Sequence, residues 1–393
     1  MSSVTTTANA AADGAARIHW IENGEQRSVR WRSESGWPAP RKVQLADDTM
    51  NADTAYRLAL DGTALLWRGD FQNARQLLQA LVRRVDDKPK RVKRAKAAAP
   101  APTPTEQFHR HRLAQLQRAR TLAMLLIPFD ADYGIPLRRA PDVREACNEA
   151  YGRGTEDFVM SLRELLGVIG AHEWRRKGVF IPSLDERIHP WYGVFSPVRG
   201  EYVELVAQAP LPKGAALAFD VGAGTGVLSA VLARRGLQGV IATDMDERAL
   251  GCARANIARV GLDGQVEVVR ADLYPPGRAN LVVCNPPWLP GKPSSAIEFA
   301  VYDPDSCMLK GFLAGLKDHL LDGGEGWLIL SDLAEHLGLR SRAQLLDWIA
   351  AAGLAVAGHH DVRPTHPKAS DPDDPLAAAR AREVTSLWRL RPA

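Results

Sequence analysis

The sequence predicts an α/β protein: a doubly wound, mostly parallel, seven-stranded Rossmann-like sheet in the C-terminal half, preceded by a smaller mixed and helical N-terminal region. Three observations carry the prediction. From Ala215 onward, short apolar runs alternate with segments of helical periodicity, the pattern of a parallel sheet covered on both faces. The first run feeds a glycine-rich turn (Gly222, Ala223, Gly224, Thr225, Gly226) that opens directly into a helical segment. The next three runs are each followed by a polar residue: Asp244, Asp272, and Asn285 with Pro286, Pro287 and Trp288 behind it.

Taken in order, strands are expected at 215–219, 239–243, 266–269, 280–284 and 326–330. Helices are expected at 227–235, stopped by Gly236, and at 247–260, with Leu250, Ala253, Ile257 and Val260 inward and Gly261 beyond its end. Two more are expected at 306–320 and 343–352. The last two strands, 354–357 and 384–390, have no long helix between them, which predicts one antiparallel strand in the sheet.

In the N-terminal half, strands at 18–21 and 26–31 flank Asn23-Gly24, a hairpin-closing pair. Residues 54–85 read as mostly helix, with Leu60, Leu65, Leu66, Leu77, Leu78 and Leu81 as the apolar face and a break at Gly69-Asp70. A helix at 106–127 turns His109, Arg110, His111, Arg112, Arg118 and Arg120 outward and Leu113, Leu116, Met124 and Ile127 inward. The helix at 155–177 has a full set of end signals. Thr155 caps it, Glu156 and Asp157 suit its first turn, Arg175, Arg176 and Lys177 its negative end, and Gly178 its stop. Val159, Leu162, Leu166 and Ile169 form its apolar stripe.

Bulk numbers exclude several classes. At 393 residues, 46% of them hydrophobic and 24% charged, the chain can bury a large core in two or three domains. A net charge of +4 leaves any basic surface local. The cysteines Cys147, Cys252, Cys284 and Cys307 lack paired spacing, which argues against a zinc knuckle or a disulfide framework and suits a reducing cytoplasm. No apolar run spans a bilayer, since 122–129 is broken by Pro128, and the N-terminus lacks a basic-then-apolar leader. Neither a membrane nor a metal partner is expected. The run Lys88 to Lys96 is strongly basic and passes into a Pro/Ala-rich spacer; it reads either as a phosphate-contacting stretch or as a solvated linker.

In a doubly wound sheet, ligands bind at the carboxyl ends of the strands where the strand order reverses. Glycine at the first turn permits tight turning and close approach of a ligand to the backbone. Asp244, after the second strand, can accept hydrogen bonds from a ribose diol, and Asp272, after the third, from an adenine amino group. The turn is spaced G-x-G-x-G with Asp220 before it, rather than the G-x-G-x-x-G of a pyrophosphate site, so a dehydrogenase is disfavoured. Asp220 is instead suited to a cationic amino-acid end. Asn285 and the Pro286 carbonyl can each accept a hydrogen from an NH2 group. Two acceptors at fixed angles aim the lone pair of an otherwise poor nucleophile, the prolines stiffen the loop, and Trp288 offers a stacking face.

On these residues, 190–393 resembles the class I S-adenosylmethionine-dependent methyltransferases with an Asn-Pro-Pro-aromatic motif, which act on nitrogen. Arg199, Gly200, Glu201, Tyr202 and Val203 through Val206 resemble a segment of the HemK-type glutamine methyltransferases, with Gly200 and Val203 departing from that pattern. Gly193 to Ser196 and Gly226 to Ser229 resemble segments of the ribosomal-RNA guanine-N2 methyltransferases, which usually carry Phe in place of Trp288. The resemblance implies S-adenosylmethionine held by Asp220, Gly222, Ala223, Gly224, Gly226, Asp244, Met245, Asp272, Leu273 and Asn285, with Phe195 packed over it. It also implies Asn285, Pro286, Pro287 and Trp288 as the catalytic motif. Arg363, His366 and Lys368, in a proline-broken segment, are expected to contact the substrate. The expected partners are a macromolecular substrate, RNA slightly before protein, and possible membership of a ribosome-associated set. A cofactor- or RNA-binding module without turnover is the rival reading. The expected organisation is a disordered tail at 1–16, an α+β module at 17–85, the linker at 86–105, a helical substrate-selecting region at 106–186 and the methyltransferase domain at 187–393.

Overall fold

The structure, a computed structural model, describes residues 16–87, 101–198, 200–293, 296–364 and 374–393. The chain divides into two units: residues 1–93 with 116–169, and residues 94–115 with 170–393.

The first unit holds a six-stranded sheet. Its strands are β1 (Arg17–Glu22), β2 (Glu25–Trp31), β3 (Lys42–Ala46), β4 (Thr63–Trp67), β5 (Leu125–Phe129) and β6 (Phe158–Ser161), in the order β1-β2-β6-β5-β4-β3. Asn23 and Gly24 both adopt positive φ, as the expected hairpin turn requires. The helices are α1 (Ala52–Leu60), α2 (Phe71–Asp86), α4 (Arg144–Tyr151) and parts of α3 (Pro104–Leu122) and α5 (Leu162–Lys177). Asn51 and Asp70 cap α1 and α2 by accepting from the backbone N–H of Thr54 and Gln72.

Three expected helices are corrected here. Thr63–Trp67, Leu125–Phe129 and Phe158–Ser161 are strands, not helix, and every residue in them is buried. A short all-apolar run in the middle of a sheet has no period that separates it from a buried helix. So Leu65, Leu66, Ile127 and Val159 face sheet neighbours, and α5 begins at Leu162 rather than at Thr155. Leu113 is 56% exposed, outside the expected stripe. Strands β5 and β6 complete the same sheet as residues 17–67, so 106–186 does not form a region of its own.

The second unit opens with the hairpin β7 (Val179–Ile181) and β8 (Glu186–Ile188), then α6 (Glu201–Gln208). Alternation follows: β9 (Leu217–Val221), α7 (Val227–Arg234), β10 (Gly239–Asp244), α8 (Glu247–Arg259), β11 (Val266–Arg270) and β12 (Ala279–Cys284). The short β13 (Leu289–Pro290) and β14 (Tyr302–Asp303) pair with each other. Next come α9 (Cys307–Leu316), β15 (Leu320–Ser331), α10 (Leu333–His336), α11 (Arg342–Ala351), β16 (Leu354–Val362), α12 (Ala377–Arg380) and β17 (Thr385–Pro392). The seven-stranded order is β11-β10-β9-β12-β15-β17-β16, with β17 antiparallel to both neighbours, as expected.

Alternate side chains of the central strands enter two cores. Ala218, Leu281, Val283, Trp327 and Ile329 pack with α6 and α7, while Phe219, Val221, Val282, Cys284 and Leu328 pack with α9 and α11. A third cluster sets Phe108, from the front of α3, against Leu289, Leu333, Leu337 and Leu376. The Thr105 hydroxyl donates to the Leu337 carbonyl at 2.9 Å. In β15, Glu325 is wholly enclosed. Burial pushes its carboxyl up, but donation from Arg389, Arg391 and Trp327 outweighs that and brings it to about 2. No helix among the described residues is long and apolar enough to cross a membrane.

Candidate active site

Strand register brings the expected residues together. Val221, the last residue of β9, lies opposite Thr243 in β10 and Cys284 in β12. The next residues, Gly222, Asp244 and Asn285, therefore leave three adjacent strands side by side, about 4.8 Å apart per strand. Between β9 and β12 the strand order reverses, so this is the switch point of the sheet. The Gly222 and Ala223 N–H groups both donate to the Thr243 carbonyl, at 2.9 and 2.8 Å. That turn needs φ +77° at Gly222 and φ +78° at Gly226, values only glycine adopts freely. A Cβ on Gly226 would also lie 3.2 Å from the Ala253 methyl of α8.

A cleft of about 500 Å³ opens here, within the range of small-ligand sites. Of the expected residues, Gly222, Asp244, Met245, Asp272 and Leu273 line it. The Asp244 carboxylate is already bonded to the turns around it. One oxygen accepts from the Gly224 N–H and the other from the Asp246 N–H, each at 3.0 Å. Leu273 sits at φ +68°, a left-handed conformation that costs a leucine energy. The Thr243 hydroxyl holds it by donating to its carbonyl.

The other expected residues stand behind this wall. Ala223, Gly224 and Gly226 shape the turn. Asp220 is 1% exposed and accepts from the Ser229 hydroxyl, which ties β9 to α7. Burial raises its carboxyl to about 6. Phe195 packs against the core under α6 and α7. Near it in sequence, Ser196 Oγ and Glu201 Oε1 are enclosed without a hydrogen-bond partner among the described residues, the kind of atom that a polar ligand satisfies.

Sequence reasoning missed one wall. Asp303, at the end of β14, and Cys307 and Met308, at the start of α9, line the cleft. Asp303 accepts from the Met308 and Leu309 N–H groups at 3.0 and 3.1 Å and so organises that helix start. The signal was present as an acid just ahead of an apolar helix. The cleft as built suits the cofactor implied by the resemblance. Asp244, Asp272 and Asp303 offer carboxylates to hydroxyl, amino and cationic groups, and Met245, Leu273 and Met308 offer apolar surface to a planar ring. Among the described residues no cluster of His, Cys, Asp or Glu could hold a metal ion.

Beside the cleft, Pro286 is buried and the Leu289 N–H donates to the Val301 carbonyl at 3.2 Å. Trp288 is half-buried and touches both cores, and its indole N–H donates to the Asn285 side-chain oxygen at 2.8 Å. The segment that follows is braced by Arg112 of α3. That guanidinium pairs with Glu298 at 3.0 Å, donates to the Lys292 carbonyl at 2.9 Å and stacks 3.9 Å from the Tyr302 ring centre. Arg112 is thus engaged rather than solvated. Arg363 is exposed and follows the edge strand β16, three strands from β12 in the sheet order. His366, Lys368, Arg199 and the basic run 88–96 lie outside the described residues.

Residues 190–340 match the family Methyltransferase small domain. The chain is 30% identical over 134 residues to the tRNA1(Val) (adenine(37)-N6)-methyltransferase of Bacteroides thetaiotaomicron, covering 32% of this chain and 56% of that protein. It is 33% identical over 162 residues to the release factor glutamine methyltransferase of Cereibacter sphaeroides, covering 39% and 54%. It is 30% identical over 202 residues to the ribosomal RNA small subunit methyltransferase C of Salmonella gallinarum, covering 50% and 52%. The chain spans about half the length of these curated relatives.

Proposed function

We propose, on the premise that residues 190–340 are a methyltransferase small domain, that this chain is an S-adenosylmethionine-dependent N-methyltransferase acting on a macromolecule. The observation that carries the reading is the register that sets Asn285 one strand from Gly222 and the cleft. The cofactor, when bound, supplies a methyl group activated on a sulfonium. Asp244 accepts from the ribose hydroxyls, Asp272 from the adenine amino group, and Gly222 leaves the backbone open to the amino-acid end. Asp303 and Met308 complete the wall.

Asn285 Oδ1 and the Pro286 carbonyl each accept one hydrogen of the target NH2. The nitrogen is thereby turned so that its lone pair faces the cleft. After transfer the nitrogen is cationic and acidic and gives up one proton to water, so a strong base is not required. Orientation and the carboxamide dipole do most of the work.

We favour an exocyclic amine of an RNA base as the target. The basic run 88–96 supports this, and two of the relatives above are named for RNA substrates. Glutamine in a protein is the second reading, favoured by the 33% identity to a release factor glutamine methyltransferase. The test is transfer of labelled methyl from S-adenosylmethionine to total RNA and total protein from cells lacking this chain, with mass spectrometry of the labelled product. Label in RNA supports the first reading, label in a glutamine the second, and label in neither removes both.

A further inference from the structure

We propose that the indole N–H of Trp288 is a positioning group for Asn285: it fixes the carboxamide so that its oxygen, and not its NH2, meets the target nitrogen. The inference rests on the methyltransferase reading and goes beyond it, since that reading uses Trp288 only as a stacking face.

The geometry is one short bond between neighbours in the motif. Trp288 Nε1 donates to Asn285 Oδ1 at 2.8 Å. An indole N–H can donate but never accept, whereas a carboxamide carries an accepting oxygen and a donating NH2 that exchange places on a half-turn of its last torsion. In the wrong orientation two donors would face each other, so the indole selects one of the two. The carbonyl oxygen has two lone pairs, so the bond to Trp288 leaves one for the target N–H.

The donor itself is held still. Its ring is half-buried and packs against both cores, Pro286 before it is buried, and the Leu289 N–H is bonded to the Val301 carbonyl. Arg112 braces the following segment through Glu298 and Tyr302. The chain of restraint runs from α3, through β13 and β14, to one oxygen atom. A phenylalanine at 288 would keep a stacking face and lose this function entirely.

The experiment replaces the indole N–H without changing the ring. Benzothienylalanine installed at position 288 of the full chain preserves shape and stacking but has sulfur where the donor was. Fluorotryptophan at the same position keeps the donor and is the conservative rescue. S-adenosylhomocysteine affinity and the acceptor KM should stay within about threefold for both. The kcat of the benzothienyl form should fall by about 10- to 100-fold, a cost typical of a misplaced reacting group, while the fluorotryptophan form should match wild type. In proton NMR, the Trp288 indole N–H should exchange slowly with water in the wild-type chain and quickly in Asn285→Ala.

Equal kcat for the benzothienyl and wild-type chains would overturn the positioning role and leave the methyltransferase reading intact. Equal loss in KM, or loss of cofactor binding, would show a packing role and overturn it too. If the wild-type chain methylates neither RNA nor protein, the parent reading fails and the role falls with it.

Discussion

Asp244 offers the sharpest separation of a binding role from a structural one. Its two oxygens accept from the Gly224 and Asp246 N–H groups at 3.0 Å, and it also lines the cleft. In Asp244→Ala both N–H groups lose their acceptor. Asp246 is exposed and its N–H recovers a bond to water; Gly224 is half-buried, so its orphaned donor costs about 1 kcal/mol. For a unit of this size that lowers the melting temperature by about 2–4 °C. The cofactor would lose more. Two hydroxyl donors to a carboxylate are worth about 1.5–3 kcal/mol each, or about 3–6 kcal/mol together. At 1.4 kcal/mol per decade that is a loss of about 10²- to 10⁴-fold in affinity. Titration calorimetry with S-adenosylhomocysteine reads the second number and a thermal melt the first. A variant that melts lower by the expected few degrees yet binds within threefold of wild type would show that Asp244 only ties the turns.

Three further outcomes follow from the same geometry. Asn285→Ala should keep S-adenosylhomocysteine affinity within about twofold and lower single-turnover transfer by about 10²–10³, the cost of one lost orienting group; unchanged transfer would place the acceptor elsewhere. Asp220 has a folded-state carboxyl raised to about 6, so the native state holds its proton more tightly than the unfolded chain and stability falls as pH rises from about 4 to 6. Asp220→Asn should therefore be the more stable chain at pH 7, by up to about 3 kcal/mol, with the gap closing below about pH 4 in denaturant titrations. Glu325 is the opposite case. Its depressed carboxyl, near 2, contributes stability above its ordinary range that is lost as pH falls from about 4.5 to 2. Glu325→Gln should be weaker by about 3 kcal/mol at neutral pH and should converge on wild type in acid; a gap independent of pH would mean that packing, not charge, holds the two arginines.

The second unit was largely legible because its punctuation is local. Gly236 and Gly261 adopt φ +96° and +70° just past α7 and α8, and the strands between them fall within a residue or two of expectation. The place of Gly222, Asp244 and Asp272 on the cleft wall was legible for the same reason: glycine and acid follow closely on apolar runs. The first unit was not. Leu65, Leu66, Ile127 and Val159 sit in strands whose partners come from elsewhere in the sequence, and nothing local distinguishes such a run from a helix face. The acid ahead of α9 was visible, but the turn that brings it to the cleft depends on Asp305 and Ser306 at φ +54° and +55°, conformations that their side chains do not announce. Arg112 looked like one more surface cation; that Phe108, one turn before it, is the buried residue of the front of α3 emerges only from the cluster it joins.

The boundary between the units cuts two helices, since residues 94–115 belong with 170–393 while 116–169 belong with the beginning of the chain. The polypeptide therefore passes from one compact unit to the other three times. During synthesis the first sheet cannot close until β6 has been made, and the front of α3 must wait for Leu289, Leu333, Leu337 and Leu376 to appear before Phe108 has anything to cover. An excised fragment beginning at residue 187 would carry every residue of the cleft and still lack that cover. It would expose an apolar patch beside the segment that follows Trp288, and it would release the Arg112 brace from Glu298 and Tyr302. Domain swapping, truncation and expression in pieces all meet the same obstacle: the second unit is not separable at a linker, because part of it is encoded upstream of the first unit's last strands.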